Sequence, residues 1–253
     1  MTLAVRPAQA SLLAALRRAG QPRFVVIGAT ALHHHVPLRR QTADVDLAVV
    51  ADPAEIAAVL RSQRGWTPDS AHADRWQNGD ERLDVVPATS ALVEAGVVRF
   101  ERNGKELSLV GFDLALAHTV LVPVLDVEVE VAELPALVVL KMIAWLDRPH
   151  ERRKDLGDLA HVLDRALPDF DERRWEPPLV DVDVDVEDQS AFFVGRSVRT
   201  IARTAHVGHV HDFLTKIAVG SWPAILGTEG NYAAEDVEAM AKRRLGAFSR
   251  GFS

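Results

Sequence analysis

The sequence contains no cysteine, which excludes a disulfide framework, thiolate metal sites, dithiol redox motifs and a Cys nucleophile together. It also lacks a long apolar run: no stretch approaches the ~20 consecutive apolar residues that a membrane-spanning helix needs. The opening Met1-Thr2-Leu3-Ala4-Val5-Arg6-Pro7 has no basic segment leading into an apolar stretch and a small-residue cleavage site. A cytoplasmic protein with no membrane partner is the expectation. Positive charge is in deficit, with 29 Lys and Arg against 36 Asp and Glu and a formal net charge of -7. The chain as a whole therefore does not attract phosphate backbones, and any nucleic-acid contact must come from a local patch. What is present, 253 residues of which 48% are apolar and 26% charged, suits one large or two modest domains around a buried core.

Apolar periodicity predicts a helix through Leu12, Leu13 and Leu16 up to Gly20, then a buried strand Phe24-Val25-Val26-Ile27 ended by Gly28. Ala29 to Leu32 is compatible with a short helix, and after a loop containing Pro37 comes a second strand, Val45 to Val50. Asp52-Pro53 reads as an N-cap followed by proline in the first turn, opening a helix from Ala54 to about Arg61. Gly65 to Gly79 reads as polar and broken, whereas Glu81 to Pro87 looks like another strand. Val97–Phe100 and Glu106–Val110 flank Asn103-Gly104 as a hairpin, and Val127 to Val131 alternates as a strand with one wet face. From Pro135 onward the spacing turns helical, through Leu137, Leu140, Ile143 and Leu146 and then Leu156, Leu159 and Leu163. Two more amphipathic helices are expected near Phe192–Ala205 and Ala233–Phe248. Strand, helix, strand, helix is an α/β beginning, and the sheet-bearing half ends near residue 132, with a mainly helical region after it.

The chemistry concentrates around Gly28 and Asp44-Val45-Asp46. Two carboxylates separated by one residue on a strand point to the same side and can grip one divalent cation. A glycine ending the preceding strand lets backbone amides and a helix N-terminus approach a triphosphate. Asp84, flanked by Leu83, Val85 and Val86, would be costly on a buried strand unless a metal compensates it. Three such carboxylates match two-metal phosphoryl or nucleotidyl transfer, with Asp84 as a metal ligand and as the general base or its orienter. Further along, Lys141, Ala144, Trp145 and Arg148 share one helix face, which would let both cations reach one triphosphate. Asp155 and Asp158 follow in the first turn of the next helix, where acids also serve as ordinary dipole partners.

In combination these residues resemble the minimal nucleotidyltransferases of the DNA polymerase β type, and within them the AbiEii-like toxin family. The family pattern runs G-G/S-x-A-L, a short helix, R-x-T-x-D-x-D, a later single Asp, and a helical segment with K, R and K-D-x-x-D. The matching residues are Gly28, Ala31 and Leu32; Arg40, Thr42, Asp44 and Asp46; Asp84; and Lys141, Arg148, Lys154, Asp155 and Asp158, so the resemblance covers residues 24 to about 163. It implies an α+β fold, with a nucleotidyltransferase core built on a mixed sheet at residues 1–132 and a helical domain at 133–253 that completes the cleft. It also implies Mg2+, with Mn2+ as the alternative, on Asp44, Asp46 and Asp84. Nucleotide contacts are implied at Gly28, Ala29, Thr30, Arg40, Thr42, Lys141 and Arg148, with Asp155 as a supporting or substrate-contacting residue. For Arg40 a salt bridge bracing the Asp44–Asp46 loop is the structural alternative to a phosphate contact. Ala29 departs from the pattern, standing where the family has Gly or Ser, so a hydroxyl for the γ-phosphate is missing although Thr30 is adjacent.

The reaction implied moves a nucleoside monophosphate from a nucleoside triphosphate to a hydroxyl acceptor. The toxin resemblance points to RNA, at a tRNA 3′ end, with a cognate antitoxin protein as partner. Two alternatives keep the fold: a small-molecule acceptor, as in aminoglycoside nucleotidyltransferases, or a catalytically silent nucleotide- or partner-binding protein. Three basic patches are candidates for an RNA surface: Arg148 with Arg152, Arg153 and Lys154; Arg196 with Arg199 and Arg203; and Lys242 with Arg243 and Arg244. His33-His34-His35 and the His206, His209, His211 group lack convergent ligand spacing for a metal. Asp181 to Asp188 lacks the central Gly and spaced Glu of a calcium loop and reads as a solvated edge strand or linker.

Overall fold

The computed structural model describes all residues except 1, 21, 39–41, 102–103, 176, 178, 180–183 and 230–235. The chain forms two compact units, Met1–Leu137 and Val138–Ser253, where the sequence pattern puts the division at residue 132. Among the described residues no helix is long and apolar enough to cross a membrane.

The first unit runs α1 (Pro7–Ala19), β1 (Phe24–Ile27), α2 (Gly28–His35), β2 (Asp44–Val49), α3 (Pro53–Arg61), β3 (Thr67–Pro68), β4 (Arg75–Asn78) and β5 (Glu81–Pro87). It continues with α4 (Ser90–Ala95), β6 (Val97–Arg99), β7 (Glu106–Ser108), α5 (Phe112–Ala117), β8 (Thr119–Val124) and β9 (Val127–Ala132). Seven strands form one mixed sheet in the order β3-β4-β5-β2-β1-β9-β8, and β6 and β7 pair separately as the expected hairpin; its Asn103 lies outside the described residues. β2 runs parallel to β5 and antiparallel to β1, so two acid-bearing strands lie side by side at the centre of the sheet.

The alternation of β2 and β5 separates two chemistries. Val45, Leu47, Leu83 and Val85 are buried on one face, while Asp44, Asp46 and Asp84 are only partly covered on the other. α1 packs on β5, β8 and β9 through its buried Leu12, Leu13 and Leu16. Its Gln9 side chain donates to the carbonyls of Ala43 at 2.9 Å and Arg82 at 2.8 Å, tying the entries of β2 and β5 together. Asp52 caps α3 as expected, accepting from the Ala54 and Glu55 amides at 2.9 Å each. The segment 65–79, which reads as a broken loop, instead contains β3 and β4. Only Trp76, buried between polar neighbours, signals β4 in the sequence.

The second unit holds most of α6 (Leu134–Asp147), then α7 (Arg153–Arg165), α8 (Gln189–Ile201), α9 (Thr204–Ile217), α10 (Trp222–Glu229) and α11 (Val237–Phe252). The helix expected at 192–205 is two helices, because α8 ends at Ile201 and α9 starts at Thr204. The one expected from Ala233 begins at Val237, with Ala233 outside the described residues. Of the acidic run, residues 181–183 are likewise outside, and Asp188 is buried against Arg243 and Arg244 rather than solvated. α8 and α11 cross with their backbones in direct contact. A Cβ on Gly195 would stand 2.1 Å from the Phe248 carbonyl oxygen, and one on Gly251 2.1 Å from that of Phe192.

Gly195→Ala and Gly251→Ala are each expected to lower stability by about 1–3 kcal/mol by prising these helices apart. Gly208→Ala, in α9 with nothing within 4 Å of the added carbon, is expected to stabilise by about 0.5–1 kcal/mol. Urea denaturation of the three variants checks the contrast.

Candidate active site

The acidic face of the first unit is assembled by strand register. Asp46 on β2 lies directly opposite Asp84 on the parallel β5, and Ile27, the last residue of β1, lies opposite Asp46 from the other side. Gly28 therefore meets the Asp46 side chain. It has φ +68°, and a Cβ there would fall 2.0 Å from Asp46 Oδ2. Both the backbone conformation and the space demand glycine. Asp44 stands two residues before Asp46 on the same face. Its carbonyl oxygen accepts from Thr30 Oγ1 at 2.9 Å and from Thr42 Oγ1 at 3.1 Å. The hydroxyls expected near the nucleotide thus brace the start of β2, and Thr30 is buried. Ala29 is half-buried in the first turn of α2, whose N-cap residue Ile27 makes no side-chain cap hydrogen bond. Arg40 lies outside the described residues.

Asp84 has a partner that the sequence did not suggest. Arg75 on β4 is its cross-strand neighbour, and the guanidinium grips both carboxylate oxygens, Nε to Oδ1 at 2.7 Å and Nη2 to Oδ2 at 2.8 Å. The same Nη2 lies 3.6 Å from Asp44 Oδ2. The cost of a half-buried Asp84 is met here by Arg75, where the sequence reading assigned that part to a metal. The hydrogen bonds to Asp84 hold the Arg75 pKa above its ordinary value, against the opposing effect of burial, with Asp84, Asp44 and Asp69 adding electrostatic support.

The donor chemistry fits a hard divalent cation. Three carboxylates share one face, and Asp44 Oδ1 is shielded from water with no hydrogen-bond partner among the described residues, Arg82 Nη1 lying 4.0 Å away. The set is not assembled as it stands. Among the described residues no three acidic or histidine side chains converge closely enough to hold a metal together, and both Asp84 oxygens are engaged by Arg75. The histidine groups serve the local backbone instead. His33 Nδ1 accepts from the Leu38 amide at 2.9 Å, His35 Nε2 bonds the Ala132 carbonyl at 2.8 Å, and His206 Nδ1 accepts from the Arg203 amide at 3.2 Å.

In the second unit Lys141 is buried, and its ammonium donates to Asp155 Oδ1 at 2.8 Å and to Asp158 Oδ2 at 2.7 Å. Burial, the largest single effect, pulls the Lys141 pKa down, but the two carboxylates together outweigh it and hold it above 10.5. Asp158 is thus a buried ion-pair partner and not a surface dipole partner. Trp145 is buried too, edge-on to Phe213 at 5.3 Å and Trp222 at 5.1 Å. Arg148 follows the last residue of α6 and is accessible, with Glu151 3.4 Å away. The shared cationic helix face expected of Lys141 and Arg148 therefore does not form, because the first is enclosed and the second lies past the helix end.

Two substitutions probe these contacts. Gly20, φ +76° with nothing within 4 Å, isolates the cost of left-handed backbone, so Gly20→Ala is expected to cost about 1 kcal/mol. Gly28→Ala adds the collision with Asp46 and is expected to cost about 1–3 kcal/mol more, read as a lower urea midpoint. Lys141→Ala removes the buried ammonium shared by Asp155 and Asp158, for an expected loss of about 3–5 kcal/mol. Because its folded pKa is raised, the lysine's contribution is complete below 10.5 and fades as pH rises through the folded value. A wild-type midpoint that stays flat up to pH 10 and falls more steeply above than that of Lys141→Ala checks the assignment.

No curated protein sequence matches the chain. Among solved structures, the antibiotic-resistance factor ANT(2'')-Ia aligns with 15% identity over 81% of this chain and 97% of its own, with a TM-score of 0.41. JHP933 from Helicobacter pylori aligns with 15% identity over 98% of this chain and 94% of its own, with a TM-score of 0.38. The sequence itself matches the family described as "Nucleotidyl transferase AbiEii toxin, Type IV TA system" over residues 11–182. That match takes in the whole acidic face, the Arg75 strand and the buried lysine triad, and the chain belongs to the AbiEii nucleotidyltransferase toxin family.

Proposed function

We propose that this chain is a magnesium-dependent enzyme, acting in the cytoplasm, that transfers a nucleoside monophosphate from a nucleoside triphosphate to RNA, at the 3′ end of a tRNA, and is held in check by a cognate antitoxin protein. The observation that carries the reading is the register of Asp46 against Asp84, with Gly28 cleared to receive the Asp46 carboxylate. Asp44, Asp46 and Asp84 are the residues that would hold magnesium, which when bound supplies charge neutralisation for the triphosphate and a lowered pKa for the attacking hydroxyl.

The protein's own groups divide the remaining work. The backbone at Gly28 and Ala29, opening α2 with no side-chain cap hydrogen bond from Ile27, offers amides to phosphate oxygens. Thr30 and Thr42 hold Asp44 in place through its carbonyl. Asp84 takes the proton of the acceptor hydroxyl as that oxygen bonds to the α-phosphorus and the bond to pyrophosphate breaks. In the second unit Lys141 and Asp155 fix the α6–α7 junction, just past which Arg148 is a proposed phosphate contact that faces Glu151 as it stands.

The RNA acceptor is supported by the state of the three basic patches. Lys242, Arg243 and Arg244 pair with Glu238, Asp188 and Asp164, and Arg148, Arg152 and Arg153 face Glu151, Asp155 and Glu229, while Lys154 beside them is exposed. Arg196 and Arg199 are exposed on α8, and among the described residues no ion pair engages them. Such cations are available to a phosphate backbone despite the acidic net charge.

Transfer of label from each α-labelled nucleoside triphosphate to total RNA, with and without magnesium, tests the reading. The expected result is labelled RNA that requires magnesium and falls by at least about 100-fold in Asp46→Asn. Wild-type protein that binds nucleotide but labels no RNA would move the acceptor to a small molecule.

A further inference from the structure

Arg75 sits where a cation is needed, and it is already a cation. Its fork spans both oxygens of Asp84, and one of its nitrogens is within 3.6 Å of Asp44. Arg82 Nη1 stands 4.0 Å from Asp44 Oδ1, beyond hydrogen-bond reach, whereas Arg75 makes two hydrogen bonds to Asp84. Without it, the Asp44 and Asp84 carboxylates would face one another with no guanidinium between them.

The backbone around Arg75 is pinned while its side chain is not enclosed. The Asp69 amide donates to the Arg75 carbonyl at 2.9 Å, and the Val85 amide donates to the Asp74 carbonyl at 2.7 Å. Lys105 Nζ anchors Asp74 from outside at 2.6 Å. The Arg75 side chain retains 20% exposure, at the start of β4 where the strand meets the 69–74 turn. Its flexible stem can carry the guanidinium into water without moving either strand, so exchange of this cation for another requires only a rotamer change.

We infer that Arg75 is a resident counter-cation of the carboxylate face: it holds Asp84 and Asp44 in register before a divalent ion arrives and is displaced into solvent when the ion binds. This rests on the reading that the same carboxylates hold the metal. Arg75 is then a positioning residue whose guanidinium sets metal affinity by competition, and metal binding is an exchange of one charge for two. Chain folding needs no metal under this arrangement, because the repulsion is already relieved.

The test is Mn2+ binding to the full chain, followed by the electron paramagnetic resonance of free Mn2+, for wild type, Arg75→Gln, Arg75→Lys and Asp46→Asn. Removing the competitor is expected to tighten Mn2+ binding about tenfold or more in Arg75→Gln. Arg75→Lys, a point charge without the fork, falls between. Metal-free Arg75→Gln is expected to melt below wild type and to gain more from Mn2+. A residue that merely shapes the site would weaken binding when lost, so unchanged or weaker binding in Arg75→Gln overturns the inference. If that occurs while wild type binds Mn2+ and Asp46→Asn does not, the metal-centre reading stands. No Mn2+ bound by wild type or Arg75→Gln overturns both. If Arg75→Gln does not fold, Arg75→Lys decides alone, tighter binding supporting the exchange and equal or weaker binding overturning it.

Discussion

Like-charge repulsion is the constraint around which the first unit is built. Register places Asp46 beside Asp84, and strand alternation adds Asp44 to the same face. Three carboxylates on one face of adjacent central strands would oppose the pairing of β2 with β5. The surrounding structure answers with specific contacts: the Arg75 fork on Asp84, the Gln9 amide across the entries of both strands, and two threonine hydroxyls on the Asp44 carbonyl. The opposite face of the same strands, with Val45, Leu47, Leu83 and Val85, supplies the apolar burial that keeps them in place.

The second unit solves a related problem by other means. There the charges are enclosed, so each must be matched: Lys141 by Asp155 and Asp158, and Arg244 by Asp164. Such pairs add little net stability over apolar packing, but they tolerate no missing member, which makes the α6–α7 junction geometrically strict. The direct backbone contact of α8 with α11 at Gly195 and Gly251 has the same character, since neither glycine has room for a single added carbon.

For a nucleotidyltransferase of the AbiEii family, the contrast between the two units has a functional sense. The first carries its carboxylates half-exposed, where they can exchange partners. The second buries its acids with a lysine, where they cannot. Exchange of an internal cation for an external one is possible only where the side chains retain contact with water, and Arg75 and Asp84 retain it while Lys141 does not.

Much of this was legible in the chain. Periodicity located β1, β2, β5, β9, α6 and α7, Asp52-Pro53 marked the start of α3, and Gly28 with Asp44, Asp46 and Asp84 marked the acidic face. These features are local, because a strand's alternation, a cap and a left-handed glycine each depend on a few neighbouring residues. Arg75 was not legible, since it lies in a segment rich in turn residues and its relation to Asp84 exists only once β4 pairs with β5. Nor was the enclosure of Lys141, because helical spacing tells which residues share a face but not whether that face is covered. The sequence by itself determined which residues carry charge and on which elements they lie. Only the tertiary structure decided which charges meet, because pairing partners distant in the chain become neighbours through sheet register and helix packing.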